Sequence, residues 1–173
     1  LLDSIFPLVH DACPAVRCFL VGTSPSSSLA LKAKALGVTV TGEVPSVWPY
    51  IARTKVVVAP MTFGAGVQNK ILEALAASKP VVMTSLGAEG IDGVQDVHYI
   101  VADRPEEFAR EVSRLLADSN ARKRLGESGR SLVRRLYPWD RINNIVCDDV
   151  EEVLRTHPAS AGSHRAGSFP RHP

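Results

Sequence analysis

The sequence has few cysteines, and none of them falls into a recognisable site pattern. Its 173 residues contain Cys13, Cys18 and Cys147, an odd number without a Cys-x-x-Cys pair or a Cys/His ligand spacing. A disulfide framework and a zinc site are therefore not indicated, and we expect a reducing compartment. The sequence also lacks an Asp-x-Asp metal motif.

A long apolar run and a strong charge of either sign are missing as well. No apolar stretch approaches the roughly 20 residues that a membrane helix needs, and the start shows neither the basic region nor the cleavage signal of a secretory peptide. The net charge of +2, with Lys and Arg mixed among acids, argues against a nucleic-acid partner. We expect a soluble, cytoplasmic protein, with peripheral membrane association left open.

What the sequence does contain is enough apolar residues for one ordinary domain, with 45% hydrophobic content. The strongest pattern starts at Val56–Val58, an apolar β-branched run that favours a strand buried on both faces of a parallel sheet. Pro60 ends this strand. Gly64 and Gly66 then frame a loop that can adopt positive φ or let a ligand come close.

A helix is predicted from Val67, followed by another strand at Val81–Met83 after Lys79 and Pro80. The apolar residues of this helix recur at helical spacing: Ile71, Leu72, Leu75 and Ala76. The pattern is therefore strand, glycine loop, helix and strand.

The start of this helix suits a phosphate, because its unpaired backbone N–H groups and the helix dipole favour an anion. Lys70 lies one turn into the helix, and Glu73 follows three residues later on the same face. This order matches a nucleoside diphosphate lying along the helix. The alternative is a solvated ion pair between Lys70 and Glu73, which would contribute little.

The remaining segments alternate between strand and helix patterns. The predicted strands are Val16–Val21, Val38–Thr41 and Tyr99–Val101, and the predicted helices include about 29–36, one from Pro105, 121–136 and 140–154. Residues 157–173, rich in Pro, Gly, Ser, His and Arg, are predicted to be a disordered tail.

Other candidate contacts follow from position in the chain. Ligands of open α/β sheets gather at the carboxyl ends of strands, which makes Gly22 a candidate phosphate or sugar contact. Glu89 lies in the glycine-rich loop 85–93 and could bond sugar hydroxyls. His98 and Trp48 are interpreted as a surface residue and a packing residue.

Several motifs together resemble the nucleotide-sugar-binding half of retaining GT-B glycosyltransferases. The likeness covers about Leu1 to Leu154 and rests on these residues: Pro60, Gly64-Ala65-Gly66-Val67-Gln68-Asn69-Lys70, Glu73-Ala74, Lys79-Pro80-Val81-Val82, Thr84, Gly87-Ala88-Glu89-Gly90, Val101-Ala102-Asp103 and Tyr137-Pro138-Trp139-Asp140. The resemblance implies an α/β, Rossmann-like three-layer domain with a mostly parallel sheet, the C-terminal half of a GT-B fold. Residues 1–156 would form this domain.

The resemblance also implies roles for individual residues. Glu73 matches the second acid of a Glu-x7-Glu motif and would bind the ribose of the donor, while Ala65 stands where the first acid belongs. Thr41, Gly42 and Val44 match the strand end and loop that hold the base.

The expected function is donor binding in a retaining glycosyltransferase, which transfers a sugar from a nucleoside-diphosphate sugar to an acceptor alcohol in glycan, polysaccharide or glycolipid biosynthesis. Gly66, Val67 and Lys70 would stabilise the diphosphate leaving group. No metal or cofactor is expected, UDP and GDP both remain open, and a separate N-terminal domain would bind the acceptor.

Two alternatives belong to other classes. One is an inactive nucleotide-sugar-binding or protein-interaction module, suggested by Ala65. The other is a dinucleotide-dependent oxidoreductase, although Asn69 stands where the third glycine of its fingerprint should be. A Walker-type ATPase is disfavoured because Asn69 and Ile71 flank Lys70.

Overall fold

Helices and strands alternate along the described part of this computed structural model, which comprises residues 1–64 and 66–137. The elements are α1 (Phe6–Ala12), β1 (Phe19–Val21), α2 (Ser27–Ala35), β2 (Thr39–Gly42), α3 (Trp48–Arg53), β3 (Val57–Ala59), α4 (Asn69–Ala76), β4 (Val81–Met83), α5 (Ser85–Ala88), β5 (Ile100–Val101), α6 (Pro105–Ala117) and α7 (Ser119–Leu136). The predicted helix 140–154 and tail 157–173 lie outside the described residues.

All of these strands pair in parallel, as expected for strands joined by helical crossovers. They form two separate ladders, β1–β2 and β3–β4–β5, where the sequence suggested one sheet. Strand β1 has only three residues, and its register with β2 shifts between Leu20 and Val21, so it offers few regular backbone bonds.

The three-stranded ladder is covered by helices on both faces. Val82 on the central strand packs in one apolar cluster with residues of α1 and α6. Its neighbours Val81 and Met83 point to the opposite face and pack with α4 and α7. All three side chains are completely buried, so this ladder is the middle of a three-layer arrangement.

Helix α7 approaches α4 closely because two of its interior positions are glycines. A Cβ added at Gly126 would lie 2.1 Å from the backbone oxygen of Ser78, and one at Gly129 would lie 2.7 Å from Leu75 Cδ2. Neither distance leaves room for a methyl group. These glycines therefore allow a helix contact that any side chain would prevent.

The two-stranded ladder has an apolar core on one face. Leu2 and Phe6 of the first turns pack there with Ala33 and Val38. On the other face Phe19 is 48% exposed, although its ring lies 6.2 Å from that of Tyr50 in α3. Helix α1 contributes to both ladders, since Ile5 and Val9 belong to the cluster around α6.

Several predicted boundaries were wrong by a few residues, for local reasons. Strand β1 starts at Phe19 instead of Val16, whose N–H is used in a turn to the carbonyl of Cys13. Helix α2 starts two residues early because the Ser26 hydroxyl caps it by accepting from the Leu29 N–H. Helix α7 also starts two residues early, at Ser119.

Candidate functional site

The glycine loop lies at the carboxyl end of β3 and leads into α4. Gly64 and Gly66 have φ values of 123° and 72°, which confirms that this loop needs glycine conformations. Apart from its two chain neighbours, no atom of the described residues lies within 4 Å of the position that a Cβ would take at Gly66, and Val67 is 43% exposed. The turn is therefore open to a ligand at Gly66 and is not filled by packed side chains there. Ala65 lies outside the described residues.

The first turn of α4 has no side-chain cap. The residue before the helix, Gln68, uses its side-chain amide to donate to the Gly66 carbonyl at 3.2 Å, which stabilises the loop. The helix starts at Asn69 instead of the predicted Val67, because Gln68 is still extended. An incoming anion would thus compete with no capping side chain at this end of the helix.

Lys70 and Glu73 lie outside the buried stripe of α4. The buried residues of the helix are Ile71, Ala74 and Leu75, while Lys70 is exposed and Glu73 is half-buried. No ion pair joins Lys70 to Glu73, so the alternative that the sequence left open is not formed. The ammonium and the carboxylate are each left for another partner.

A second glycine turn contacts the first one. Residues 85–93 were predicted as a loop, but they begin with the short helix α5, after which Gly90 has a φ of 81°. A Cβ at Gly90 would lie 3.2 Å from Val67 N and 3.4 Å from Gly66 C. Glu89, next to Gly90, is exposed. It borders an open depression of about 570 Å³ beside α5 and β5.

Two polar contacts that the sequence did not predict hold this second turn. The Thr84 hydroxyl donates to the Met61 carbonyl at 2.8 Å and so joins the end of β4 to the glycine loop. The Asp103 carboxylate accepts from the Ser85 hydroxyl at 2.5 Å and from the Ser85 N–H at 2.8 Å. These bonds hold the pKa of the Asp103 carboxyl below its usual value. Position could have revealed both residues, because each follows closely on a strand at the carboxyl edge.

The residues expected to hold a base lie on the other ladder. Gly42 ends β2 beside Val21, so Gly22 is next to it at the carboxyl edge of that ladder. Gly42 has a φ of 68°, and the Thr41 hydroxyl donates to its carbonyl at 2.9 Å. Val44 is half-buried in the following loop. The structure therefore brings Gly22, the candidate phosphate or sugar contact, together with Thr41 and Gly42 on one ladder, while the glycine loop and Lys70 belong to the other.

His98 has a structural contact of its own. Its ring Nδ1 accepts from the Val94 N–H at 2.9 Å and closes the turn before β5. Trp48 is 51% exposed at the start of α3.

Among the described residues, no three His, Cys, Asp or Glu side chains are grouped as a metal site would require. In the same part of the chain, no helix combines the length and apolar character needed to cross a membrane.

Residues 1–118 match the family model described as glycosyl transferases group 1, which is more than half of the chain. The chain belongs to this family. The group 1 match includes the glycine loop, α4, the second glycine turn and Asp103. The predicted assignment to a glycosyltransferase family is thereby confirmed.

Solved structures share the fold of this group 1 chain at low sequence identity. HepE from Anabaena in complex with UDP and glucose aligns with a TM-score of 0.72 and 19% identity, over 84% of this chain and 44% of that chain. Sucrose-phosphate synthase from Thermosynechococcus elongatus aligns with a TM-score of 0.69 and 20% identity, over 87% and 42% of the two chains. The chain thus spans less than half the length of these two proteins.

A third structure is the C-terminal domain of a glycosyl transferase group 1 family protein, LpcC, from Francisella tularensis. It aligns with a TM-score of 0.65 and 20% identity, over 76% of this chain and 75% of that chain. Together these matches confirm the predicted fold class, an α/β Rossmann-like domain of the GT-B type with parallel strands.

Proposed function

We propose that this chain is the donor-binding half of a retaining glycosyltransferase that uses a nucleoside-diphosphate sugar. The observation that carries the proposal is the start of α4. There an open glycine turn, a helix end without a side-chain cap, and an unpaired Lys70 and Glu73 occur together. This combination provides hydrogen-bond donors and positive charge for phosphates, followed by an acceptor for sugar hydroxyls.

In the proposed reaction the anomeric carbon loses a nucleoside diphosphate, and negative charge grows on the leaving oxygen. Backbone N–H groups at Gly66 and Val67 and the Lys70 ammonium would stabilise that charge from fixed positions. Glu73 would accept hydrogen bonds from the ribose and so keep the donor in the orientation that the reaction needs. Glu89, at the second turn, would contact the transferred sugar.

The base would rest on the other ladder, against Thr41, Gly42 and Val44, and Gly22 beside them would contact a phosphate or the sugar. HepE was solved with UDP, with UDP and glucose, and with UDP-glucose, which supports a uridine donor. The match to the C-terminal domain of LpcC supports placing this chain in the C-terminal half. The donor domain would comprise residues 1–156, and a separate N-terminal domain would bind the acceptor alcohol. The reaction would belong to polysaccharide or glycolipid synthesis, in the cytoplasm or at a membrane surface.

Nucleotide titration tests this proposal directly. UDP or GDP should raise the melting temperature of the protein, because a ligand that binds only the folded state stabilises it by mass action. Lys70→Ala should weaken the binding of the preferred nucleotide by about 10- to 100-fold, since it removes a charge-assisted contact worth about 1.5–3 kcal/mol. Glu73→Ala should also weaken it, through the lost ribose contact.

Two substitutions serve as matched controls. Lys34→Ala on α2 and Glu106→Ala on α6 remove the same charges from exposed helix positions away from the glycine loop, and should leave nucleotide affinity unchanged. A protein that responds to no nucleotide would instead be an interaction module, for which Ala65 is the motivation. A response confined to dinucleotides would point to an oxidoreductase.

A further inference from the structure

The two glycine turns of the site come from different strands and meet backbone to backbone. Gly66 follows β3, whereas Gly90 follows β4 and α5. The position of a Cβ at Gly90 lies 3.2 Å from both Val67 N and Val67 Cγ2. These distances are tighter than ordinary van der Waals contact, so only glycine at position 90 fits without displacing Val67.

The backbone conformation at Gly90 independently favours glycine. Its φ of 81° lies in the left-handed region that residues with a Cβ rarely adopt. Gly66 has the same kind of conformation, with a φ of 72°. One of these positions precedes Val67 in the chain and the other packs against its backbone N, so main chain meets main chain at this point.

We propose that Gly90 is a positioning residue of the phosphate site, which by close backbone contact holds Val67 and its N–H where the donor diphosphate would bind. This inference rests on the proposed function and deepens it. The glycine loop before α4 would supply the N–H groups, and the turn after α5 would keep them in position. A side chain at position 90 would displace Val67 and so move its N–H out of the position proposed for phosphate binding.

The turn that contains Gly90 is held by hydrogen bonds to residues that follow the two neighbouring strands, β3 and β5. Thr84 ties its start to the Met61 carbonyl, and Asp103 holds the first residue of α5 through two bonds to Ser85. Gly87 is confined as well, because a Cβ there would lie 3.1 Å from Met83 Cβ. The turn therefore has little freedom to move aside for a larger residue at position 90.

The test compares UDP affinity, measured by calorimetry, with thermal unfolding of the same variants without ligand. Gly90→Ala adds the Cβ and the backbone strain together. Gly90→Asn adds a Cβ with less strain, because asparagine tolerates the left-handed region better. Gly37→Ala is the matched control: its φ is 67°, but no atom lies within 4 Å of the added Cβ.

We expect both substitutions at Gly90 to weaken UDP binding by about tenfold or more. Gly37→Ala should lower the melting temperature through backbone strain, though less than Gly90→Ala, and should leave UDP affinity unchanged. The inference is overturned if the Gly90 variants keep the affinity of the unchanged protein, or if affinity falls in all three variants in step with melting temperature. If the unchanged protein binds neither UDP nor GDP, the proposed function itself fails.

Discussion

The two parallel ladders of this domain differ in how they are covered. In β3–β4–β5 the central side chains are completely buried between two helical layers. In β1–β2 one face packs on α1 and α2, while Phe19 on the other face remains 48% exposed. Burial of apolar area is the main source of stability, so packing around β3–β4–β5 should contribute most of the stability of the domain.

The difference teaches how the candidate site is built. The turns proposed to hold phosphates grow out of the well-packed ladder, where strand ends are fixed by helices on both sides. The residues proposed to hold the base lie on the lightly packed ladder. The proposed phosphate site, where charge must be placed accurately, would thus lie on the more completely packed part of the fold.

The sharpest test of this comparison replaces one phenylalanine by alanine in the packing around each ladder. Phe108→Ala on α6 removes a completely buried ring from the three-layer core and should lower the free energy of unfolding by about 3–5 kcal/mol. Phe19→Ala removes a half-exposed ring from β1 and should cost less, about 1–2 kcal/mol. Urea unfolding of both variants measures the difference, and equal losses would contradict the unequal coverage.

A smaller loss is expected where α7 meets α4. Gly126→Ala would normally favour a helix, but its methyl group would overlap the Ser78 carbonyl, and overpacking of this kind costs about 1–3 kcal/mol. Ser131→Ala on the same helix, at an exposed position, is the control and should be close to neutral or stabilising. A more stable Gly126→Ala protein would show that the helices are not in such close contact.

A still smaller effect should appear in the pH dependence of stability. The bonds from Ser85 lower the pKa of Asp103 in the folded state, so their contribution is present above about pH 4 and is lost as the pH falls through the folded pKa. The carboxylate is exposed and screened, so the effect should stay below about 1 kcal/mol. Comparing unfolding of the unchanged protein and Asp103→Asn from neutral to acidic pH measures it. The stability difference between them should shrink on acidification, and a constant difference would contradict the linkage.

The least effect is expected for the ion pair between Lys32 and Asp3, which ties α2 to the start of the chain beside the lightly packed ladder. Both side chains are largely exposed, and such pairs contribute about 0–1 kcal/mol. Asp3→Asn should therefore change the unfolding free energy only slightly, and raising the salt concentration should remove the change. A large loss would mean that the two-stranded ladder depends on this contact.

The central unit could be predicted from sequence because its signals are local. The valines of β3 and β4, the two glycines of the loop and the helical spacing of Ile71 and Leu75 each specify conformation within a few residues. The orientation of Lys70 and Glu73 on one helix face follows from the same periodicity. The same periodicity could not show whether Lys70 and Glu73 pair with each other, since both outcomes fit that spacing.

Contacts between distant segments could not be predicted in this way. From the local sequence, a glycine inside a helix indicates only low helix propensity. It does not show that Gly126 makes room for the Ser78 carbonyl. The bond from Ser85 to Asp103 joins residues 18 positions apart, and it became apparent only once β4 and β5 were paired.

The position of α1 has a consequence for how the domain opens. Leu2 and Phe6 pack against the two-stranded ladder, while Ile5 and Val9 pack against the other. A local opening of β1–β2 would expose the first pair and leave the second pair in place. We therefore expect amide hydrogens in β1 and β2 to exchange with solvent through a partial opening, well before those of β4, whose release requires the whole core to unfold.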